Sequence, residues 1–372
     1  MSTFPKTTKS CAWVVVAVWA AGGCDDSRSG PGATRSFALG FTDFPHAATA
    51  QAVADAYAVI ARDADLVALH FDDGVPWQEA LAGAPYDSGW VGELARKAAS
   101  IPAGHLRYLA ITPIALSRDR LADHRGASGN EPLVPPWDTL SFDAPQVIAA
   151  FTAHAKNLIT VFEPDYFAYA IEANILAAAD PVGWSKFVTL ARALYASVKA
   201  DHPALPIFVT LQADWFHGDP VGQAAAIAQV IPYTDVIAVS TYPFAVQPDP
   251  LALRPDHFAA LAALAPTKPF VVSETGWPAE DVTAPYPVVI PSDDTNQRRY
   301  VERLLADAEA LSAGFVVWFF TRDFDDLWDA QLQFLPGASL FRLWKDCGLY
   351  DGAGGARPAL TTWRGALALP RR

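Results

Sequence analysis

From residue 36 onward the chain repeats one pattern: a short apolar run that ends in polar or aromatic residues, then an amphipathic stretch rich in Ala and Leu. Strands that alternate with helices pair in parallel, so the pattern predicts an α/β fold. Eight runs predict a single closed (β/α)₈ TIM barrel, with an open doubly wound sheet as the alternative. The runs are 37–44, 65–73, 107–114, 166–174, 206–215, 235–243, 269–278 and 314–323. Helices are predicted between them, among others at 49–63, 142–160, 183–200, 219–229 and 296–311.

The eight runs change character where they end. Their interiors consist of Val, Ile, Leu, Ala and Phe, and polar side chains would be costly inside a packed barrel. Polar residues at the carboxyl ends of barrel strands line the mouth, where active sites of this fold lie. The chain is therefore predicted to be an enzyme. The polar residues at the run ends are Asp43, His70, Asp72, Glu172, Asn174, Gln212, Asp214, Tyr242, Glu274 and Arg322.

Charge restricts the partner. The 372 residues carry a formal net charge of −13, and no segment concentrates Lys and Arg. Nucleic acid would be repelled, and a polyanionic substrate is disfavoured. A neutral substrate such as a sugar fits this charge, and an acidity that serves solubility alone is the equally favoured alternative; a monomer is expected. No phosphate-binding glycine motif follows the first run, which weakens a nucleotide-binding alternative.

The N-terminal segment predicts export. Lys6 and Lys9 precede a short apolar run at 12–21, too short to span a bilayer comfortably. The sequence Ala-Gly-Gly-Cys that ends at Cys24 resembles a bacterial lipoprotein signal, in which the cysteine becomes lipidated and N-terminal. An ordinary secretory signal is the alternative. Either reading predicts an exported protein, held to a membrane surface by a lipid anchor at most.

Three segments follow from this reading. Residues 1–24 form the signal peptide, and the small polar residues 25–35 form a flexible tether. Residues 36–372 form the catalytic barrel. Once the signal is removed and Cys24 is lipidated, Cys347 has no cysteine partner, so no intrachain disulfide is expected.

Two glutamates carry the predicted chemistry. Glu172 ends the fourth run and Glu274 ends the seventh, and strands four and seven face each other across the mouth of an eight-stranded barrel. Glycosidic cleavage needs one carboxylic acid to protonate the leaving oxygen and a second carboxylate opposite. A separation of about 5–5.5 Å would predict a retaining mechanism, with Glu172 as general acid/base and Glu274 as nucleophile. The alternative for Glu172 is a solvent-facing position on an Ala-rich helix.

Several motifs support this assignment. The sequence VSETGWP at 272–278 resembles the nucleophile strand of clan A glycoside hydrolases, particularly families 17 and 53, the β-1,3-glucanases and endo-β-1,4-galactanases. STYP at 240–243 resembles their sixth strand, which implies that Tyr242 hydrogen-bonds the nucleophile. Trp318 matches their strand-eight sugar platform, and 348–363 resembles their closing segment. The resemblance implies a barrel that hydrolyses a galactan or a glucan without metal or cofactor.

The chain departs from clan A at two places. Ile171 stands where an Asn usually precedes the acid/base glutamate. Asn174 is expected to project beside Glu172 and to replace the contact that this missing Asn makes with the sugar. The sequence HFDD at 70–73 replaces an Arg often found on the second strand. The residues predicted to bind substrate are Asp43, His70, Asp72, Asn174, Gln212, Asp214, Trp215, Tyr242, Trp277 and Trp318.

These departures leave two alternatives. The first is a carbohydrate-binding pseudoenzyme on the same barrel, which the residue Ile171 suggests. The second is a metal-dependent barrel hydrolase, suggested by HFDD and by acidic residues after the eighth run, for which a solvated acidic loop is the other interpretation. The acidic residues are Asp323, Asp325, Asp326 and Asp329.

Overall fold

The computed structural model describes residues 32–127, 129–335 and 337–372. Eight parallel strands close into a barrel in which each strand pairs with the next and the last pairs with the first. This confirms the predicted (β/α)₈ barrel and excludes the open sheet. The strands are β1 (Ala38–Thr42), β2 (Leu66–Phe71), β3 (Leu106–Ile111), β4 (Tyr166–Ala170), β5 (Ile207–Gln212), β6 (Ile237–Thr241), β7 (Phe270–Thr275) and β8 (Phe315–Trp318).

Thirteen α-helices lie among the described residues, and the five predicted ones coincide with α1, α4, α6, α8 and α10. Helix α6 begins with Pro181 after Asp180, whose carboxylate accepts a hydrogen bond from the Val182 amide. The helices are α1 (Ala50–Asp63), α2 (Trp77–Ala82), α3 (Ser88–Ser100), α4 (Pro145–Phe162), α5 (Asn174–Ala179), α6 (Pro181–Asp201), α7 (Ala213–Gly218), α8 (Pro220–Ala228), α9 (Ala259–Ala262), α10 (Asp294–Ala310), α11 (Asp325–Ala330), α12 (Ala338–Trp344) and α13 (Pro358–Leu367).

The long segment after β3 contains structure that sequence patterns did not predict. A two-stranded antiparallel ribbon pairs His124–Gly126 with Gly129–Glu131. Arg125 fixes this ribbon: its Nε lies 3.0 Å from Asp73 and its guanidinium lies over the ring of Trp90. The segment therefore packs against the residues that follow β2, and it brings new side chains to the barrel mouth.

The barrel has two apolar layers because successive side chains of a strand point to opposite faces. One layer fills the barrel, where the ring of Tyr108 packs against Phe208 and Phe315 at centroid distances of 5.8 and 5.1 Å. The other layer, which is larger, lies between the strands and the helices. On β8, Val317 belongs to the inner layer and Trp318 to the outer one.

Residues Thr34–Arg372 form one compact unit that contains the whole barrel. The predicted signal peptide, including Cys24, and most of the predicted tether lie outside the described residues. Within the described part of the chain, no helix combines the length and the apolar character needed to cross a bilayer.

Candidate active site

Glu172 lies just beyond the end of β4, where the chain turns sharply. Its φ angle is 50°, in the left-handed region that non-glycine residues rarely adopt. The turn is held by a hydrogen bond of 2.8 Å from the Glu172 amide to Oγ1 of Thr210 on β5. Such a conformation costs about 1–3 kcal/mol and is characteristic of functional sites. The turn directs the carboxylate to the barrel mouth, so the alternative of a solvent-facing helical glutamate is wrong.

Glu274 reaches the mouth because β7 contains one extra residue. Val239 on β6 pairs with Val272, but the next residue, Ser240, pairs with Glu274. The pairing with β8 shifts at the same place. Strict alternation from the inward-facing Val271 would point Glu274 towards the helices. The bulge reverses this direction, which is how bulges often re-aim side chains beside active sites.

Glycine in the SETGW sequence has a steric role. A Cβ atom on Gly276 would lie 2.9 Å from the Phe319 carbonyl oxygen and 3.3 Å from the Tyr242 ring. The close approach of these segments therefore requires a residue without a side chain. The same close approach brings the phenol of Tyr242 to Glu274.

Two donors hold Glu274 as a carboxylate. The Tyr242 hydroxyl donates to Oε1 at 2.6 Å, and Nδ1 of His70 lies 3.2 Å from Oε2. Burial alone would raise the pKa of Glu274, but the charge of His70 and these hydrogen bonds outweigh it, so the pKa is lowered. The pKa of His70 is raised in turn: burial lowers it, and the attraction of Glu274 exceeds that effect. The site thus keeps an ionised carboxylate at the end of β7.

The pKa of Glu172 shifts in the opposite direction. Burial raises it, the charge of Arg118 opposes that effect, and repulsion from Glu274 raises it further, so the net shift is upward. Ser240 donates to its Oε1 at 2.7 Å. Ser240 is also the register partner of Glu274, so it adjoins both glutamates. The site therefore combines one carboxyl that favours a proton with a neighbour that favours its ionised form.

Arg118 is the main site residue that the sequence analysis missed. It lies in the segment after β3, with a φ of 60°. Its Nη2 donates to Asp72 at 2.6 Å, and its Nε and Nη2 lie 3.3 and 3.2 Å from Oε2 of Glu172. The signal that could have found it is the absence of the expected Arg near HFDD, which invites a search for a guanidinium in the neighbouring loops.

Three predicted contact residues are engaged within the protein. Asp43 is buried and accepts hydrogen bonds from Tyr57 at 2.8 Å and Lys97 at 2.5 Å. Gln212 caps α7 by accepting from the Trp215 amide at 2.8 Å. Asp214 accepts from the amide of Tyr242 at 2.9 Å and from Gln212 at 2.9 Å, so it positions the turn that carries the phenol.

The expected projection of Asn174 beside Glu172 is wrong. Strand β4 ends at Ala170, and Asn174 is the first residue of α5. Its side chain is fully buried and bonds to the Gln212 backbone and to Gln223. It therefore ties α5 to β5 and α8.

The predicted sugar-stacking tryptophans lie in different environments. Trp277 and Trp318 are both 0% exposed, and the Trp318 indole donates to the Cys347 carbonyl at 2.8 Å. In this arrangement neither ring face is open to a sugar, which corrects the expectation of a platform at Trp318. Trp215, in α7 just after β5, is 48% exposed and can stack on a ligand.

Three half-buried aromatic residues lie beside the Tyr242 ring and were not predicted. The centroid of Trp344 lies 5.5 Å from Tyr242, and that of Phe319 lies 6.3 Å from it. Phe44 extends the group, at 5.6 Å from Phe319. Since Phe319 follows Trp318, the alternation of β8 directs it towards the mouth.

Of the acidic residues after β8, Asp323 pairs with Arg357 and Asp325 with Lys345, whereas Asp326 and Asp329 are exposed to solvent. Among the described residues, one group has carboxylates close enough to hold a metal ion: Glu280, Asp323 and Asp346. Arg357 lies 2.9 Å from Glu280 and 2.5 Å from Asp323, and Lys345 lies 2.9 Å from Asp346. These ion pairs compensate the buried charge and account for the cluster structurally.

Together, the fold and the two glutamates place a pair of carboxyl groups at the mouth of a (β/α)₈ barrel. No protein-family model matches the chain, and no curated protein matches its sequence. Solved structures do match, and several of them are glycoside hydrolases. The exo-β-1,4-mannosidase Op5Man5 from Opitutaceae bacterium strain TAV5 has a TM-score of 0.64 at 16% identity, covering 91% of this chain and 60% of its own.

Two further neighbours represent two families. GH5_18 from Streptomyces cattleya, in complex with GlcNAc, has a TM-score of 0.62 at 15% identity, covering 91% of this chain and 83% of its own. The family 17 β-1,3-glucanosyltransferase from Rhizomucor miehei has a TM-score of 0.50 at 14% identity, covering 87% and 96%. Family 17 is one of the two that the SETGWP motif resembles. At these identities the likeness establishes the fold.

Proposed function

We propose that the chain is a retaining glycoside hydrolase with Glu172 as general acid/base and Glu274 as nucleophile. The observation that carries the proposal is a pair of carboxyl groups at the ends of β4 and β7 whose pKa values are shifted apart, upward for Glu172 and downward for Glu274. Opposite shifts of two neighbouring carboxyls assign the acid and the nucleophile. Ser240 donates to Glu172 and pairs in register with Glu274, which supports a short separation of the two carboxyl groups and hence retention.

In the first step, the Glu172 carboxyl gives its proton to the glycosidic oxygen as the bond to the anomeric carbon breaks. Glu274 attacks that carbon from the opposite face and forms a glycosyl-enzyme ester. In the second step, Glu172, now a carboxylate, removes a proton from water, which displaces Glu274. Tyr242 and His70 hold the Glu274 oxygens in position before attack and when the carboxylate is released.

The proposed substrate is a neutral β-linked hexoside, with a galactan or a glucan as the first candidates. The formal net charge of −13 disfavours anionic sugars. The mannosidase among the structural neighbours adds β-mannosides to the panel. Hydrolysis of nitrophenyl β-glycosides and release of reducing ends from galactan, glucan and mannan would identify the sugar.

Variants of the two glutamates test the mechanism. Glu274→Ala should abolish turnover, whereas Glu172→Ala should retain activity on aryl glycosides with good leaving groups and lose it on poor ones. Added azide should give a β-glycosyl azide with Glu172→Ala and an α-glycosyl azide with Glu274→Ala. Glu280→Gln is the matched control, because Glu280 is an exposed glutamate after β7 that pairs with Arg357. Equal losses on all substrates in both variants would refute the roles.

A second candidate function is carbohydrate binding without turnover. It is favoured by Ile171, a buried apolar residue where clan A enzymes usually carry the Asn that contacts the sugar. Saturable binding of oligosaccharides, together with no product from the whole panel, would favour this candidate. Hydrolysis that stops on removal of metal by EDTA would instead favour the metal-dependent alternative.

We also propose that the protein is an exported monomer anchored by lipid on Cys24. The support is the Lys6 and Lys9 charge, the apolar run and the Ala-Gly-Gly-Cys sequence. Metabolic labelling with a fatty acid in a bacterial host should mark the wild type but not Cys24→Ser. Labelling of both would refute lipidation at this residue, and light scattering of the 36–372 segment would report its oligomeric state.

A further inference from the structure

Arg118 lies between two acidic side chains that follow different strands of the barrel. Its guanidinium reaches Asp72 after β2 at 2.6 Å and Glu172 after β4 at 3.2 and 3.3 Å. A third contact, from Nη1 to the Ala115 carbonyl at 3.3 Å, fixes the guanidinium to its own loop. The Arg118 side chain is 7% exposed, so water cannot replace these partners.

This geometry opposes the chemistry expected of Glu172. Arg118 donates to Oε2 and Ser240 donates to Oε1, so both carboxylate oxygens accept hydrogen bonds. A general acid must carry a proton on one oxygen, and a guanidinium cannot accept one. Every contact with Arg118 therefore favours the ionised form of Glu172. This form is needed when Glu172 acts as a base in the second step, but the first step needs the protonated form.

Asp72 competes for the same cation. Its bond to Nη2 is shorter than either bond from Arg118 to Glu172, and the Asp72 side chain is only 12% exposed. A guanidinium shared between two anions stabilises each of them less than if it were held by one. The negative charge of Asp72 also acts directly on Glu172 and favours its protonated form.

We propose that Asp72 and Arg118 form a positioning pair that sets the proton affinity of the acid/base, Arg118 lowering it and Asp72 restoring it. The inference rests on the proposed function, because Glu172 must exchange a proton in each step. The pair gives Glu172 an intermediate proton affinity. The carboxyl is protonated readily enough to act as an acid in the first step, and it is stable enough as a carboxylate to act as a base in the second.

The other charged and titratable groups around Glu172 do not duplicate this pair. Glu274 on β7 repels it, while His70 on β2 and Tyr242 after β6 direct their donors at Glu274. Ser240 and Thr210 contribute neutral hydrogen bonds. Arg118 is thus the cation in direct contact with Glu172 among the described residues.

The test measures the pKa of Glu172 directly. The chain has few glutamates, so ¹³C labelling of their carboxyl carbons and a pH titration by NMR, with Glu172→Gln for assignment, resolves this group. Arg118→Met should raise the pKa of Glu172 by about one unit or more, since an adjacent cation is lost. Asp72→Asn should lower it, because Arg118 then serves Glu172 alone. Arg118→Lys should leave it near the wild-type value.

The matched control is Arg120→Met. It removes a guanidinium from the same loop, but Arg120 pairs with the surface residue Asp123 and should not affect Glu172. If Arg118→Met and Asp72→Asn shift the pKa of Glu172 in opposite directions, the result would support the pair. A purely structural role of these residues would not give shifts of opposite sign. Shifts in the same direction, or no shift in a folded variant, would overturn it. If Arg118→Met does not fold, Asp72→Asn still decides the sign.

Kinetics separate this inference from the proposed function. In an active enzyme, the basic limb of the kcat/KM profile should follow the NMR value in each variant, because the acid must be protonated. Activity that is absent from the wild type would refute the proposed hydrolase. The titration shifts would still be measurable in that case, so the two ideas fail independently.

Discussion

Removal of the Tyr242 hydroxyl tests how the nucleophile is held. The hydroxyl donates to Glu274 at 2.6 Å, within the short range of charge-assisted hydrogen bonds. Such a bond to a charged group contributes about 1.5–3 kcal/mol. One pKa unit corresponds to about 1.4 kcal/mol. Tyr242→Phe should therefore raise the pKa of Glu274 by about 1–2 units and reduce kcat/KM by about 10- to 150-fold.

The assay is the pH dependence of kcat/KM on an aryl β-glycoside. Glu274 must be ionised to attack, so a higher pKa moves the acid limb of the profile to higher pH. The phenylalanine ring keeps the packing against Trp344. Tyr169→Phe is the matched control, because the Tyr169 hydroxyl donates to a backbone carbonyl on the outside of the barrel. An unshifted acid limb and an unchanged rate in folded Tyr242→Phe would refute the reasoning.

Three further outcomes are expected. The wild-type kcat/KM should rise with pH as Glu274 ionises, with a pKa below the ordinary 4.5 of a glutamate. It should fall again as Glu172 loses its proton, with a pKa above 4.5. A profile without two limbs would contradict the assignment. Trp318→Phe should cost about 1–3 kcal/mol of unfolding free energy in denaturant titrations, since the Cys347 carbonyl loses its indole donor, with KM unchanged. Trp215→Ala should raise KM for oligosaccharides about 2- to 10-fold and leave KM for short aryl glycosides unchanged, consistent with about 0.5–1.5 kcal/mol of stacking; equal effects on both substrates would place the indole elsewhere.

The strands could be predicted because their signal is local. Seven of the eight apolar runs contain the strand observed, and β3 begins one residue before the third run; the order of strands and helices follows directly. The ends of the runs were overextended. The fourth run reached Asn174, but β4 ends at Ala170, because the turn at Glu172 is fixed by Thr210 on the neighbouring strand. A contact between two strands leaves no pattern within either one.

The direction of side chains near the mouth was harder to predict. Trp318 was matched to a sugar platform by motif, but its neighbour Val317 faces the barrel interior, so the indole faces the helices. Glu274 shows the reverse case. Alternation from Val271 would point its side chain outward, and the bulge in β7 turns that side chain towards the mouth. Alternation along a strand can be predicted from the sequence, whereas a bulge depends on how the strand pairs with both neighbouring strands.

By itself, the amino-acid sequence determined the barrel, its strand order and the two glutamates at the ends of the fourth and seventh strands, because hydrophobic periodicity and short motifs act over a few residues. Only the tertiary structure decided the charge state of the site. Arg118 is 54 residues from Glu172 in the chain, and Ser240 is 68 residues from it. Electrostatic interactions depend on distance in space, so the shift of each carboxyl is defined only when these segments meet.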